Sequence, residues 1–367
     1  MKDLTNISVV LPSLDPDEKL TAVIDGLLET GFSHIILVND GSKPENLHYF
    51  EKAAALPQVQ VLHHEVNRGK GAALKTAFEW FLQNCPDGLG VVTVDGDNQH
   101  PPEDTLACTL EMLRTGQVLL GCRDFSLGHV PKRSRYGNNI TCAVFKILCG
   151  MKLNDTQTGL RAIPRSAVKA FCHVKGDRFE YETNMLLAMK EQQIPYGEVK
   201  IRTVYIEENK SSHFRAVRDS VRIYALILRH FFRYTVASML SALVDTGVFA
   251  LLSWLLGGVL GGLLLDAVAT GTARITSSLF NFILNKKLVF HSSASTGTSL
   301  VRYYCLAVPI LLAQLILTHG TYLLLGIRDD QTVLRTVIYV IVMTVLYIVS
   351  FIVQQRWVFR PGAQERN

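Results

Sequence analysis

The chain has 367 residues, enough for two or three domains, with 37 Lys+Arg against 32 Asp+Glu and a formal net charge of +5. Residues 234–367 hold only 9 of those basic and 5 of those acidic residues, so most of the excess charge lies in an apolar C-terminal part. That distribution is a membrane-topology signal and argues against nucleic acid as a partner, while seven cysteines without a C-x-x-C pair read as reduced thiols and exclude a disulfide framework.

Residues 7–11 read as a short first strand and not as a leader, leaving the first membrane helix as its own insertion signal. Asp15 is the expected N-cap of the next helix, with Pro16 at its first position and Glu18 closing a capping box. Leu20, Val23, Ile24, Leu27 and Leu28 follow at helical spacing, and Gly31 ends the run. Residues 35–38 then read as strand, 44–55 as helix, 59–62 as strand and 71–82 as helix. Residues 91–94 read as strand, 102–115 as helix and 118–120 as strand. This alternation predicts an α/β domain with a mostly parallel sheet covered on both faces.

Ligands of such sheets gather at the carboxyl ends of the strands. The polar runs Asn39-Asp40-Gly41-Ser42 and Asp95-Gly96-Asp97-Asn98-Gln99-His100 fall there. Residues 69–74 lack the last glycine of G-x-G-x-x-G, and Lys70 is not followed by Ser or Thr, which weakens dehydrogenase and P-loop readings. Asp95-x-Asp97 suits a different chemistry. When a sugar leaves a nucleoside diphosphate, the departing charge needs a hard divalent cation held by a carboxylate. The competing reading is a solvated turn. The adjacent His63 and His64 point to opposite faces of a strand and are rejected as a metal pair, and His100 reads as structural.

Six motifs occur in a telling order: Val9-Val10-Leu11-Pro12, Val38-Asn39-Asp40-Gly41-Ser42, Asn67-Arg68-Gly69-Lys70-Gly71-Ala72-Ala73, Asp95-Gly96-Asp97-Asn98-Gln99-His100-Pro101-Pro102-Glu103-Asp104, Gly121-Cys122-Arg123 and Asp155-Thr156-Gln157-Thr158-Gly159-Leu160-Arg161. In this order they resemble the family 2 glycosyltransferases, and within them the polyprenyl-phosphate (dolichol- and undecaprenyl-phosphate) sugar synthases. The resemblance spans residues 5–230. It implies a GT-A-type nucleotide-sugar-binding fold, a UDP- or GDP-sugar donor, a polyprenyl-phosphate acceptor, and single displacement with inversion. It implies a donor site of Pro12, Leu14, Glu18, Asp40, Lys70, Asp95 and Gly96, and Mg²⁺ or Mn²⁺ held by Asp97 and Gln99. Arg123, Arg161 and the stretch Lys210-Ser211-Ser212 are implied to face phosphates; Asp155, with a phosphate acceptor that needs no strong base, is expected to position the acceptor or the metal. Two departures stand out: Asn39 where Asp is usual, and Asp-Gly-Asp-Asn in place of the commoner Asp-Ala-Asp-Gly. Plainer roles compete: Asp40 as a turn cap, Lys70 as a solvated helix start, Arg123 and Arg161 as surface ion pairs. A lipid phosphate, with a second pKa of about 6, needs no strong base, whereas a hydroxyl acceptor on a lipid, glycan or protein does. A third alternative is a lipid-sugar transporter whose N-terminal domain only binds.

Two segments suit a membrane surface. Ile140, Ala143, Val144, Ile147 and Leu148 form a stripe behind Lys132, Arg133 and Arg135, with a core-facing helix as the alternative. Residues 214–233 read as a basic amphipathic helix. Residues 234–256, 263–284, 303–325 and 337–353 are then expected to span the membrane as an all-α, four-helix domain. Loop charges put both termini and the catalytic domain in the cytoplasm; Arg328 and Arg335 on the outer loop fit least well. The expected division is 1–213 catalytic, 214–233 juxtamembrane, 234–360 membrane and 361–367 tail. Residues 282–290 and 351–359 repeat one pattern, implying two related hairpins. The pattern is similar to GtrA-like membrane domains, and that resemblance makes a homo-oligomer conceivable. Asp245 and Arg274 fall mid-span and are expected to pair; the alternative sets Arg274 against polar groups such as Asn281.

Overall fold

The computed structural model describes residues 4–128, 130–204, 216–260, 262–290, 292, 294–328 and 330–360. They divide into two compact units, Met1–Ile227 and Leu228–Asn367.

The first unit is built on seven strands: β1 (Ile7–Ser13), β2 (Ile35–Asp40), β3 (Val59–His64), β4 (Gly90–Thr93), β5 (Val118–Cys122), β6 (Arg161–Pro164) and β7 (Tyr196–Lys200). They pair in the order β3-β2-β1-β4-β6-β5-β7. Every pairing is parallel except those of β6, which runs against β4 and β5. All six residues of β2 are buried, as a strand covered on both faces requires. Side chains alternate between two cores. Val10, Ile36 and Val91 pack with Phe78 and Phe81 of α3 (Lys70–Asn84). α6 (Arg165–Cys172) and α7 (Glu180–Glu191) complete that layer. Val9, Ile35 and Val92 pack instead with α1 (Glu18–Glu29), α2 (Leu47–Ala54) and α4 (Pro102–Thr115). α5 (Lys132–Val144) precedes β6 in the chain.

The start of α1 corrects the sequence reading. Its N-cap is Asp17, whose carboxylate accepts the Lys19 N–H. Asp15 is held in the left-handed region (φ 47°), which Asp tolerates better than most residues, and accepts the Lys43 N–H at 2.8 Å. It therefore ties the loop after β1 to the loop after β2. Proline and the short turn Pro44–Asn46 likewise delay α2 to Leu47.

The C-terminal helices are α8 (Ala216–Leu256), α9 (Gly262–Leu284), α10 (Thr296–Leu324) and α11 (Thr332–Val353). The basic stretch and the first expected span thus form one continuous helix. Three helices among the described residues are long and apolar enough to cross a membrane: Phe231–Leu256, Thr296–Leu324 and Thr332–Val358. This corrects the expectation of four. α9 is long enough at 23 residues, but Asp266, Arg274 and a series of Thr and Ser residues lower its hydropathy.

The sequence repeat is visible as paired contacts. α9 and α11 each end in a wide π-type turn, Asn285–Val289 and Gln354–Val358. The equivalent residues Asn285 and Gln354, 69 positions apart, hydrogen-bond to each other at 3.1 Å and are buried. The equivalent Phe290 and Phe359 stack at 5.2 Å. Phe282 meets Phe359 at 5.7 Å and Phe351 meets Phe290 at 5.8 Å, as an approximate two-fold demands. Asn285→Leu alone is expected to leave a buried amide short of a partner and cost about 1–3 kcal/mol. Adding Gln354→Leu should cost less than the sum of the two single changes. Thermal unfolding of the detergent-solubilised variants checks this.

Candidate active site

The chain steps outward from β1 to β3 and returns to β4 on the other side of β1. Loops leaving β1 and β4 must part there, and a crevice opens at the strand ends. A cavity of about 340 Å³ occupies it. The end of β1, the loop after it and the first turn of α1 contribute Pro12, Leu14, Asp17 and Lys19. Asp40 and Lys70 line one side, Asp95, Gly96 and Asp97 the floor, and Arg178 and Phe179 close it from the loop before α7.

Asp95 is fixed from two directions. Lys70 Nζ lies 2.7 Å from one oxygen, and His100 Nε2 lies 3.8 Å from the other. Gly159 backs it so closely that a Cβ there would strike the carboxylate. Burial by itself raises the Asp95 carboxyl, but Lys70 and His100 together outweigh burial and hold it well below the ordinary carboxylate range. Asp97 goes the other way. Burial and then the charge of Asp95 push it up, opposed by the Gln99 N–H at 3.1 Å. Asp97 is therefore the carboxylate whose charge is least compensated, and a hard cation suits its oxygens. Among the described residues no three His, Cys, Asp or Glu side chains gather as a metal site. A cation held here would have to take most of its oxygens from a bound ligand and water, as Mg²⁺ commonly does.

Asp40 lines the cavity but is 3% exposed, and its oxygens are engaged. They accept from His64 Nδ1 (2.7 Å), Arg68 N (2.9 Å) and Gly69 N (2.7 Å). It holds the loop leading into α3, which is a larger role than the turn cap the sequence suggested. His63 and His64 do face apart: His64 serves Asp40, and His63 sits by Asn39 and Phe50.

Residues 8–171 match Glycosyl transferase family 2, and residues 233–359 match the GtrA/DPMS transmembrane domain. The chain joins a family 2 glycosyltransferase domain to a GtrA/DPMS membrane domain. It is an enzyme, a membrane-bound glycosyltransferase. One relative is the UDP-N-acetylglucosamine–dolichyl-phosphate N-acetylglucosaminyltransferase of Methanococcus voltae, 27% identical over 221 residues, 55% of this chain and 86% of that one. Another is the undecaprenyl-phosphate mannosyltransferase of Micrococcus luteus, 28% identical over 169 residues, covering 45% and 68%. Among solved structures, mannosyl-3-phosphoglycerate synthase from Rubrobacter xylanophilus is 18% identical, covering 63% and 75%, with a TM-score of 0.48.

The transferase domain gathers most of the expected donor-site residues, Pro12, Leu14, Asp40, Lys70, Asp95 and Gly96, around one cavity together with the expected metal ligand Asp97. Others fall elsewhere. Glu18 is exposed, and Asp17 and Lys19 line the cavity in its place, because the helix starts two residues late. Gln99 is outside the lining and meets Asp97 through its backbone. Arg161 does not face a phosphate-binding surface: it is 2% exposed, donating to the carbonyls of Thr158 (3.2 Å) and Glu182 (2.8 Å). Arg123 grips Asp155, Nε to Oδ2 at 2.7 Å and Nη2 to Oδ1 at 3.2 Å. Asp155 is fully buried and also accepts the Gln157 N–H. Arg135 donates to the loop carbonyls of Ser126 and Leu127 instead of projecting outward. The Arg133 side chain and Lys210, Ser211 and Ser212 lie outside the described residues.

In the membrane domain Arg274 Nη1 lies 3.5 Å from Asp245, which also accepts from Ser277 Oγ at 2.9 Å. Asn281 instead bonds Ser241 and Tyr303. Residues the sequence did not mark are Glu182, 3.0 Å from Lys70, and the lining pair Arg178 and Phe179. Asp40→Ala is expected to strand three donors, lower stability by about 3 kcal/mol or more, and speed hydrogen exchange at the Arg68 and Gly69 amides. A base-reading role would instead shift the preference between UDP and GDP at unchanged stability.

Proposed function

We propose that the enzyme transfers a sugar from a UDP- or GDP-sugar to a polyprenyl phosphate, with inversion, at the cytoplasmic face of the membrane. The observation that carries this reading is the carboxylate-floored cavity at the β1/β4 crevice, with Lys70 at its wall, in a chain that carries its own membrane domain. The relatives named for dolichyl and undecaprenyl phosphate support the acceptor class.

In this reading the base and ribose lie toward Pro12, Leu14 and Asp95, and the diphosphate toward Lys70 and Asp97. Mg²⁺ or Mn²⁺, held by Asp97 and the phosphates, supplies neutralisation of the leaving charge. Lys70 adds a fixed cation on the same side. A phosphate acceptor is already largely ionised, and the geometry of Asp155 agrees: both its oxygens are engaged by Arg123, which makes it an anchor for an arginine. Arg123, anchored in this way, is the cation read as meeting the incoming phosphate.

The domain also carries an apolar surface suited to lipid. Tyr136, Ile140 and Ile147, on α5 and the turn that continues it, are 64%, 55% and 45% exposed, at helical spacing. We read this stripe as resting on the bilayer, where a lipid phosphate is met at headgroup depth. The division of the chain at 213/214 and 233/234, the cytoplasmic placing of both termini, and a homo-oligomer belong to the same proposal.

Membranes containing the protein are expected to move radiolabelled sugar from one member of a UDP- and GDP-sugar panel onto undecaprenyl phosphate, and EDTA should abolish transfer. Metal-dependent donor hydrolysis without a lipid product would discard the polyprenyl-phosphate acceptor. Asp97→Asn should lower turnover about 100-fold or more, the scale of losing several kcal/mol of charge stabilisation. Asp155→Asn should weaken acceptor use. If turnover vanished while both substrates still bound normally, Asp155 would have to be the general base.

A further inference from the structure

Lys70 is the first residue of α3, Glu182 lies in the first turn of α7, and Asp95 follows β4. The three elements meet on one ammonium: Lys70 Nζ is 2.7 Å from Asp95 and 3.0 Å from Glu182. This is no loose surface pair. The Lys70, Asp95 and Glu182 side chains are 17%, 28% and 15% exposed. α3 and α7 touch at Gly71, where a Cβ would stand 2.4 Å from that of Tyr181. The Glu182 carbonyl is held in turn by buried Arg161. Lys70 lines the donor cavity and Glu182 does not, so Glu182 reaches the donor only through Lys70.

An ammonium has three N–H donors. Two are committed to carboxylates, which leaves one for the cavity and fixes its direction. Burial alone lowers the Lys70 amine, but Asp95 and Glu182 outweigh it and keep the amine protonated, above the usual lysine range. Two carboxylates on one ammonium also leave the cluster net negative. A diphosphate is therefore met by a cation whose field is largely cancelled. That arrangement suits a group that must be gripped during transfer and released afterwards.

We infer that Glu182 is a positioning residue of the donor site: it aims Lys70 at the diphosphate and restrains Lys70's hold on the nucleoside diphosphate product. The inference rests on the donor-site reading above.

The test uses the full-length chain in detergent with Mn²⁺ and measures the Kd of UDP and of GDP. Glu182→Gln keeps the shape and removes the charge. It is expected to tighten binding of the nucleoside diphosphate roughly three- to tenfold, the scale of one partly screened charge several ångströms away. The kcat should fall, with KM for the donor falling alongside it. In a Lys70→Met background, Glu182→Gln should no longer change kcat, because the positioning runs through the ammonium, while the through-space part of the binding gain remains. Should Glu182→Gln fail to fold, Glu182→Asp, which draws the carboxylate back, should tighten binding by a smaller factor. Unchanged or weaker diphosphate binding in the variants, with the parent binding normally, overturns the role of Glu182 and leaves the donor site standing. A parent that binds neither UDP nor GDP with metal overturns both.

Discussion

A diphosphate brought to a cavity lined by carboxylates, as proposed above, is an electrostatic contradiction, and the ammonium of Lys70 goes furthest to resolve it. Asp95 and Asp97 line that cavity, and Glu182 lies outside the lining, 3.0 Å from Lys70. Lys70 pairs two of them, which divides the carboxylates into distinct kinds. Asp95 is held firmly ionised, while Asp97, left with Asp95 as its neighbour, is pushed up. In the proposed reading that asymmetry gives a divalent cation its place beside Asp97.

The surroundings serve to keep that ammonium where it is. Asp40 spends its whole carboxylate on the loop that delivers Lys70 to the head of α3. Gly159 lets β6 close against Asp95 with no side chain intervening. Arg161 is the costliest member: a guanidinium out of water, with burial lowering its pKa, satisfied mainly by the carbonyls of Thr158 and Glu182. Its two bonds join the strand behind Asp95 to the helix that carries Glu182. A buried charge placed there makes sense as registry between two halves of the site more than as net stability.

Sequence reasoning reached what is local. Strands β1, β2, β4 and β5 and helix α4 follow from apolar runs, Pro102 and Gly116, and the β4 exit showed its carboxylates in one short motif. It failed where the deciding partner is distant. Nothing around Glu182 announces that it meets Lys70, 112 residues away in the chain. Arg161 looked like a phosphate ligand because burial of an arginine depends on which helix covers it. Asp15 and Asp17 compete for one N-cap in adjacent turns, and the contest is settled by Lys43 and Ser42, which draw Asp15 into the loop.

The membrane domain shows the same division between local pattern and distant partner. Its repeat was plain in the sequence, and the structure turns it into contact: Asn285 with Gln354, Phe290 with Phe359, and Tyr234 with Phe351 mirrored by Tyr303 with Phe282. The two hairpins are clasped at the ends that carry Lys286, Lys287 and Arg356, the ends expected in the cytoplasm. Elsewhere the repeats have diverged. Shifting by the same 69 positions puts Gln314 against Asp245 and Met343 against Arg274, so the charged pair exists in one hairpin alone. α9 consequently carries the polar groups that its counterpart α11 lacks, and it falls below the hydropathy of a free-standing span. α9 is tied to its neighbour by polar contacts, Ser277 to Asp245 and Asn281 to Ser241 on α8.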